Sequence, residues 1–159
     1  MHGLGYRVDM ARVLVTGMSG VGKSTVIREL TRRGAFAVDT DDVGWKDSAG
    51  DWITERMTNL LRAHDDVIVS GTVANQGEFY PALHHVVLLT APLDVMLSRI
   101  DARDDNPYGK SSEDRAEIIA NTQSVEPLLR ATATLELNAT APLGDTVDIL
   151  HDLYRQRFT

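Results

Sequence analysis

Cysteine is absent from the 159-residue chain. That excludes disulfides, a thiolate nucleophile and any Cys-based metal site, and it suits a reducing compartment, so a cytoplasmic protein is expected. Long hydrophobic runs are missing too. The longest apolar stretches have strand length, far short of the ~20 residues a membrane helix needs. Nor is there a basic stripe: the formal charge is -7 and the pI about 5.1, which argues against nucleic acid as a main partner. The first eleven residues, MHGLGYRVDMA, lack the apolar segment of a secretion signal. Met10 is a candidate start, because the first strand follows it at once. The five histidines show no ligand spacing. With no repeat, low-complexity tract or linker, residues 1–159 read as one domain, a monomer or homodimer.

What is present is a phosphate-binding signature. Gly17 to Thr25 read GMSGVGKST, completing G-x-x-x-x-G-K-[ST] directly after the apolar run Arg12–Thr16. Gly17, Gly20 and Gly22 let the backbone of the loop, with Ser19 and Val21 between them, turn its N–H groups toward an anion. Lys23 brings a charge to the β and γ phosphates, Ser24 offers its hydroxyl to Mg²⁺, and Thr25 continues into a helix whose positive end faces the same point.

Five runs read as strands: 12–16, 36–38, 66–70, 85–89 and 134–137. Several are continuous Val/Leu/Ile, as strands covered on both faces require. Helices are expected at 25–33, 48–63, 93–102, 112–130 with an interruption at Glu126-Pro127, and 145–157. The alternation predicts a three-layer α/β fold with a parallel sheet and ligands at the carboxyl ends of its strands.

The second strand runs into Asp39-Thr40-Asp41-Asp42. Two carboxylates are useful beside a γ-phosphate, one for Mg²⁺ and one to orient an acceptor hydroxyl and take its proton. We assign Asp39 to the metal and Asp41 to the acceptor, with Asp42 one step out of phase. The competing reading is an Asx turn that caps the next element. The third strand ends in Ser70-Gly71-Thr72 rather than an Asp, which weakens motor and switch readings and offers N–H and hydroxyl donors to a substrate. Arg99 and Arg103 lie four apart on one helix face and lead into the polar stretch DDNPYGKSSED. Arg103 and Lys110 are expected on a closing flap of about 104–114, with Arg99 nearer the base and Arg115 and Arg130 in reserve. The loop Asn138–Pro142 is positioned to contact the base. Trp45, Trp52 and Tyr80 are candidates to line an acceptor pocket.

Together, Gly17–Thr25, the segment Val38-Asp39-Thr40-Asp41 and the Arg99-x-x-x-Arg103 spacing resemble the P-loop small-molecule kinases that include shikimate, gluconate and adenylate kinases. The resemblance spans nearly the whole chain. It implies strand order 2-3-1-4-5, ATP as donor, Asp39 near Mg²⁺, Asp41 at the acceptor hydroxyl and an arginine-bearing lid. NPYGK followed by VEPLLR resembles a small group of proteins known only as kinases or ATPases. Two features differ from shikimate kinase: Ser70-Gly71-Thr72 replaces a triple glycine, and only Arg56 stands where a substrate-holding arginine is expected. Phosphorylation of a small hydroxylated metabolite is therefore the leading expectation. Nucleoside monophosphate kinase activity and a non-enzymatic nucleotide-binding role are the alternatives.

Overall fold

The computed structural model describes residues 11–104 and 107–155. Met10, residues 105 and 106 of the expected flap and residues 156 and 157 of the last expected helix lie outside them. Strands β1 (Arg12–Thr16), β2 (Ala37–Asp39), β3 (Val67–Ser70), β4 (His85–Thr90) and β5 (Leu135–Asn138) form one parallel sheet in the order β2-β3-β1-β4-β5. This is the expected P-loop kinase fold. Around the sheet lie α1 (Lys23–Arg32), α2 (Thr54–Ala63), α3 (Leu93–Ala102), α4 (Ser112–Thr132) and α5 (Leu143–Tyr154), with a 3-10 helix at Gln76–Ala82. Among the described residues no helix is long and apolar enough to cross a membrane.

Side chains alternate across the central strand and so build two cores. Val13 and Val15 join Val26, Ile27 and Leu30 of α1, Met96 of α3 and Val147 and Leu150 of α5. Leu14 points the other way, into Trp52, Met57 and Leu61 beside Val69 and Phe79. Tyr154 fastens α5 to the sheet: its hydroxyl accepts from the Phe36 N–H at 3.0 Å and donates to Asp66 at 3.1 Å. Register then places the site. Val15 pairs with Ser70, and Ser70 with Asp39, so β1, β2 and β3 end at one level beside the loop that starts at Gly17.

Beyond shifts of one or two residues at strand and helix ends, three helices differ from the sequence-based expectation in ways with a physical cause. The second helix starts at Thr54 instead of 48, because Lys46 and Trp52 form an antiparallel bridge around a turn. Asp47 organises that turn, accepting from the Ala49 and Asp51 N–H groups. Helix α4 runs unbroken through Pro127. A proline leaves the carbonyl four residues earlier without a donor, and here that residue, Gln123, is exposed, so water can satisfy it. Helix α5 begins at Leu143, two residues before the expected start, with Pro142 as its cap.

Candidate active site

The loop from Gly17 to Gly22 is shaped by close backbone approach. A side chain on Gly17 would meet the Leu89 carbonyl at 2.6 Å, and one on Gly20 the Met96 carbonyl at 2.5 Å. Gly20 and Gly22 also have φ of 88° and 102°, the left-handed region that glycine tolerates best. Gly20→Ala combines a backbone clash with that strain. It is expected to destabilise the chain by roughly 2–4 kcal/mol, measurable by urea denaturation.

Gly22 is also the N-cap of α1. No side chain caps the helix there, and its first turn holds no acidic residue. The orphan N–H groups and the positive end of the dipole are left for an anion. They open onto a cavity of about 820 Å³. Its charged lining is lopsided for a protein of net charge -7. Lys23, Arg28, Lys46, Arg99 and Arg103 face it, against the single carboxylate of Asp41 among the described lining residues.

Lys23 is folded back, donating to the carbonyls of Gly17 at 2.5 Å and Met18 at 3.3 Å. Although part of the residue remains accessible, its ammonium is enclosed, and this desolvation lowers the pKa to about 8 against the opposing pull of Asp41 and Asp39. Ser24 donates to Asp39 at 2.7 Å, and Ser70 approaches the other carboxylate oxygen at 3.4 Å. Asp39 also accepts from the Asp41 N–H at 2.9 Å, so the Asx turn and the candidate metal contact coexist on one side chain. Among the described residues no three His, Cys, Asp or Glu converge on a metal position. A hydroxyl beside one carboxylate nevertheless fits Mg²⁺, which binds through few protein oxygens and keeps phosphate and water as its other ligands.

Of the residues singled out in the sequence, Ser19, Gly20, Val21, Gly22, Lys23, Ser24, Thr25, Asp41, Arg99 and Arg103 line this one cavity. Gly17 and Asp39 sit one bond behind, through Lys23 and Ser24. Pro142 is not on the wall itself, although its neighbours Ala141 and Leu143 are. Asp42 is also off the wall, in a turn closed by its N–H on the Asp39 carbonyl at 3.1 Å. Arg99 donates to the Val21 carbonyl at 2.9 Å and to Ala139 at 2.7 Å, tying the phosphate loop to the loop after β5. Arg103 donates to the Tyr108 carbonyl at 2.8 Å, while its buried Nε has no hydrogen-bond partner.

Several expectations are corrected. Lys110 does not reach the cavity: its ammonium caps the end of α3 on the carbonyls of Asp101 and Arg103, where a helix C-terminus favours a cation. Arg115 pairs with Asp101, and Arg130 with Glu126 and Glu136. Trp52 is a core residue, packed edge-on against Phe79 at 5.7 Å and donating from its indole to Thr40 at 2.9 Å. Trp45 carries the Arg56 guanidinium 4.2 Å above its ring, and neither joins the cavity wall. Asn75 stands at the N-cap of the 3-10 helix without a side-chain cap bond; its amide pairs with both the N–H and the carbonyl of Trp52 at 3.0 Å.

Sequence reasoning missed Lys46, whose ammonium reaches Asp41 at 3.0 Å. The glycines on either side of it, Gly44 and Gly50, both at positive φ, were the available signal for a turn that brings the chain back. Arg28, Ala102 and Thr146 carried no signal at all, whereas Ala139 and Tyr108 lie within the loop and the flap already expected to border the nucleotide.

Sheet order, loop and cavity together define a P-loop protein with the small-molecule kinase fold. The chain belongs to the family described as AAA domain, whose profile matches residues 13–120. Its structure is similar to shikimate kinase from Acinetobacter baumannii in complex with shikimate, with a TM-score of 0.68 and 21% identity over 91% of this chain and 92% of that one. It is also similar to a gluconokinase from Sinorhizobium meliloti 1021, with a TM-score of 0.56 and 17% identity over 89% and 90% of the two chains. For deoxyadenosine kinase from M. mycoides the values are 0.55 and 13%, over 89% and 96%. A comparison with curated protein sequences gives no match.

Proposed function

We propose that this chain is an ATP-dependent phosphotransferase that moves the γ-phosphate onto a hydroxyl of a small metabolite. One observation carries the reading. A single cavity holds the free N-terminus of α1 with Lys23 at one side, and a carboxylate with its own cation, Asp41 and Lys46, at another.

In this reading the backbone of Gly17–Gly22, with Ser24 and Thr25, grips the phosphates. Lys23 exchanges its carbonyl partners for the β and γ oxygens, and the charge it gains there offsets the desolvation that depresses its pKa. Ser24 and Asp39 hold Mg²⁺, which when bound neutralises charge on the phosphate oxygens. Asp41 accepts a hydrogen bond from the acceptor hydroxyl and orients it for in-line attack, taking its proton as the bond forms. Arg103 adds positive charge at the equatorial oxygens, and the segment of about 104–114 closes over them to exclude water. Arg99 and the loop leading to Pro142 border the base.

A second reading has a specific observation in its favour. Lys46 beside Asp41 sets a cation next to the acceptor hydroxyl, which suits an acceptor bearing phosphate, as in a nucleoside monophosphate kinase. ADP release from Mg·ATP, measured with sugars, polyol acids, nucleosides and nucleoside monophosphates, separates the two. Acceleration by non-phosphorylated hydroxyl compounds supports the first, and acceleration by monophosphates alone the second. No acceleration by any class, with ATP still bound, would replace both with a nucleotide-binding role that is not catalytic.

A further inference from the structure

Behind the phosphate loop lies a chain of hydrogen bonds whose direction is fixed throughout. The Thr72 hydroxyl has one proton and gives it to the Gly17 carbonyl at 2.7 Å, while accepting from the Gly17 N–H at 3.1 Å. Thr16 and Thr72 touch through their hydroxyl oxygens at 2.9 Å. With the Thr72 proton already committed, Thr16 must be the donor. The Thr16 oxygen in turn accepts from the Gln76 amide at 3.3 Å. Gln76 cannot be turned around, because its carbonyl takes the Val73 N–H at 2.9 Å and its amide also donates to the Tyr80 hydroxyl at 2.9 Å. Thr16 is fully buried and Gln76 almost so, so water does not substitute for these partners.

The chain ends on the carbonyl that Lys23 occupies. Gly17 offers two lone pairs, one to Thr72 and one to the Lys23 ammonium. We propose that Thr72 and Gln76 are positioning residues for phosphoryl transfer: they fix the Gly17 peptide at the entry to the phosphate loop, and with it the carbonyl on which the Lys23 ammonium waits until phosphate takes its place. This gives the Ser70-Gly71-Thr72 turn a role distinct from donating to a substrate. The inference rests on ATP being the ligand of the loop.

The test measures Mg·ATP affinity by calorimetry in the full chain and in Thr72→Val, Thr72→Ser and Gln76→Met, with melting temperatures recorded for each. Thr72→Val is expected to weaken ATP about tenfold. Thr72→Ser should stay within about twofold of the parent, since it keeps the hydroxyl. Gln76→Met breaks the chain from its far end and should weaken ATP in the same direction, so the test survives if Thr72→Val does not fold. Parent-like affinity in both Thr72→Val and Gln76→Met would overturn the proposal and leave the kinase reading intact. So would a loss in Thr72→Ser equal to that in Thr72→Val. No ATP binding by the parent would overturn the kinase reading, and this inference with it.

Discussion

Replacing Lys23 by methionine is expected to abolish ATP turnover while making the folded chain more stable at pH 7. The two effects share a cause. An enclosed ammonium with a pKa near 8 is less favourable in the folded state than in water. The unfolded chain, with an ordinary lysine, binds more protons between about pH 8 and 10.5, so the parent should gain stability as pH rises through that window. Below pH 8 the whole penalty is present. After allowing for the two carbonyls that lose a donor, removing the charge should return roughly 2 kcal/mol, or about 4–8 °C in melting temperature. The methionine variant should also lose the pH-dependent rise. Turnover should fall by at least ~10³-fold, since a charge aimed at the transferring phosphoryl group is among the largest single contributions to such catalysis. Affinity for ATP should behave accordingly in the parent, falling as pH rises above about 8, where binding must first restore the proton on Lys23. Scanning calorimetry at pH 7 and pH 10 decides the first point; a variant less stable than the parent at pH 7 would refute it.

Asp41→Asn is expected to cost ~10²–10⁴-fold in turnover and little in ATP affinity, because the phosphate loop is untouched. The lower end of that range suits a loose transition state, in which the carboxylate orients more than it deprotonates. Its pairing with Lys46 does not argue otherwise: the two groups are largely exposed, and such a bridge is worth about 1 kcal/mol or less, so a bound acceptor can displace it. Asp39→Asn should act differently, raising the Mg²⁺ concentration needed for half-maximal rate. Asp42→Asn should be close to the parent. Steady-state kinetics at varied ATP, acceptor and Mg²⁺ separate these outcomes, and loss of turnover in Asp42→Asn with none in Asp41→Asn would shift the acceptor contact by one residue.

The parallel sheet was legible because β1, β3 and β4 are nearly pure aliphatic runs, each followed by small or polar residues, and its order came only through the resemblance to the P-loop kinases. Gly17–Thr25 was legible because close approach to Leu89 and Met96 leaves few residue types that fit. The segment between β2 and α2 was not. Its shape depends on Asn75, 23 positions away, matching both polar groups of Trp52, and on Thr40 taking the indole proton. Pairing across that distance leaves no local periodicity, so a turn-bridged segment looked like the start of a helix and a core tryptophan looked like a pocket wall. Lys46 was overlooked for the same reason. The apparent break at Pro127 failed in the opposite way, because an exposed helix face can leave a carbonyl to solvent. Lys110 and Arg99 show the limit of reading cations by position alone: both sit near the expected place, but backbone carbonyls decide where their charges end up.

The glycines that press the phosphate loop against the Leu89 and Met96 carbonyls have a consequence for the cost of association. A loose glycine-rich loop would surrender conformational entropy at the moment it wraps an anion, roughly 1–2 kcal/mol for each residue that becomes fixed. Here β4 and α3 fix the loop as the chain folds, and Arg99 fastens its Val21 carbonyl from the outside. The ordering is complete before any anion arrives, so the free energy of contact with the N–H groups is left to hold the ligand rather than to shape the protein around it.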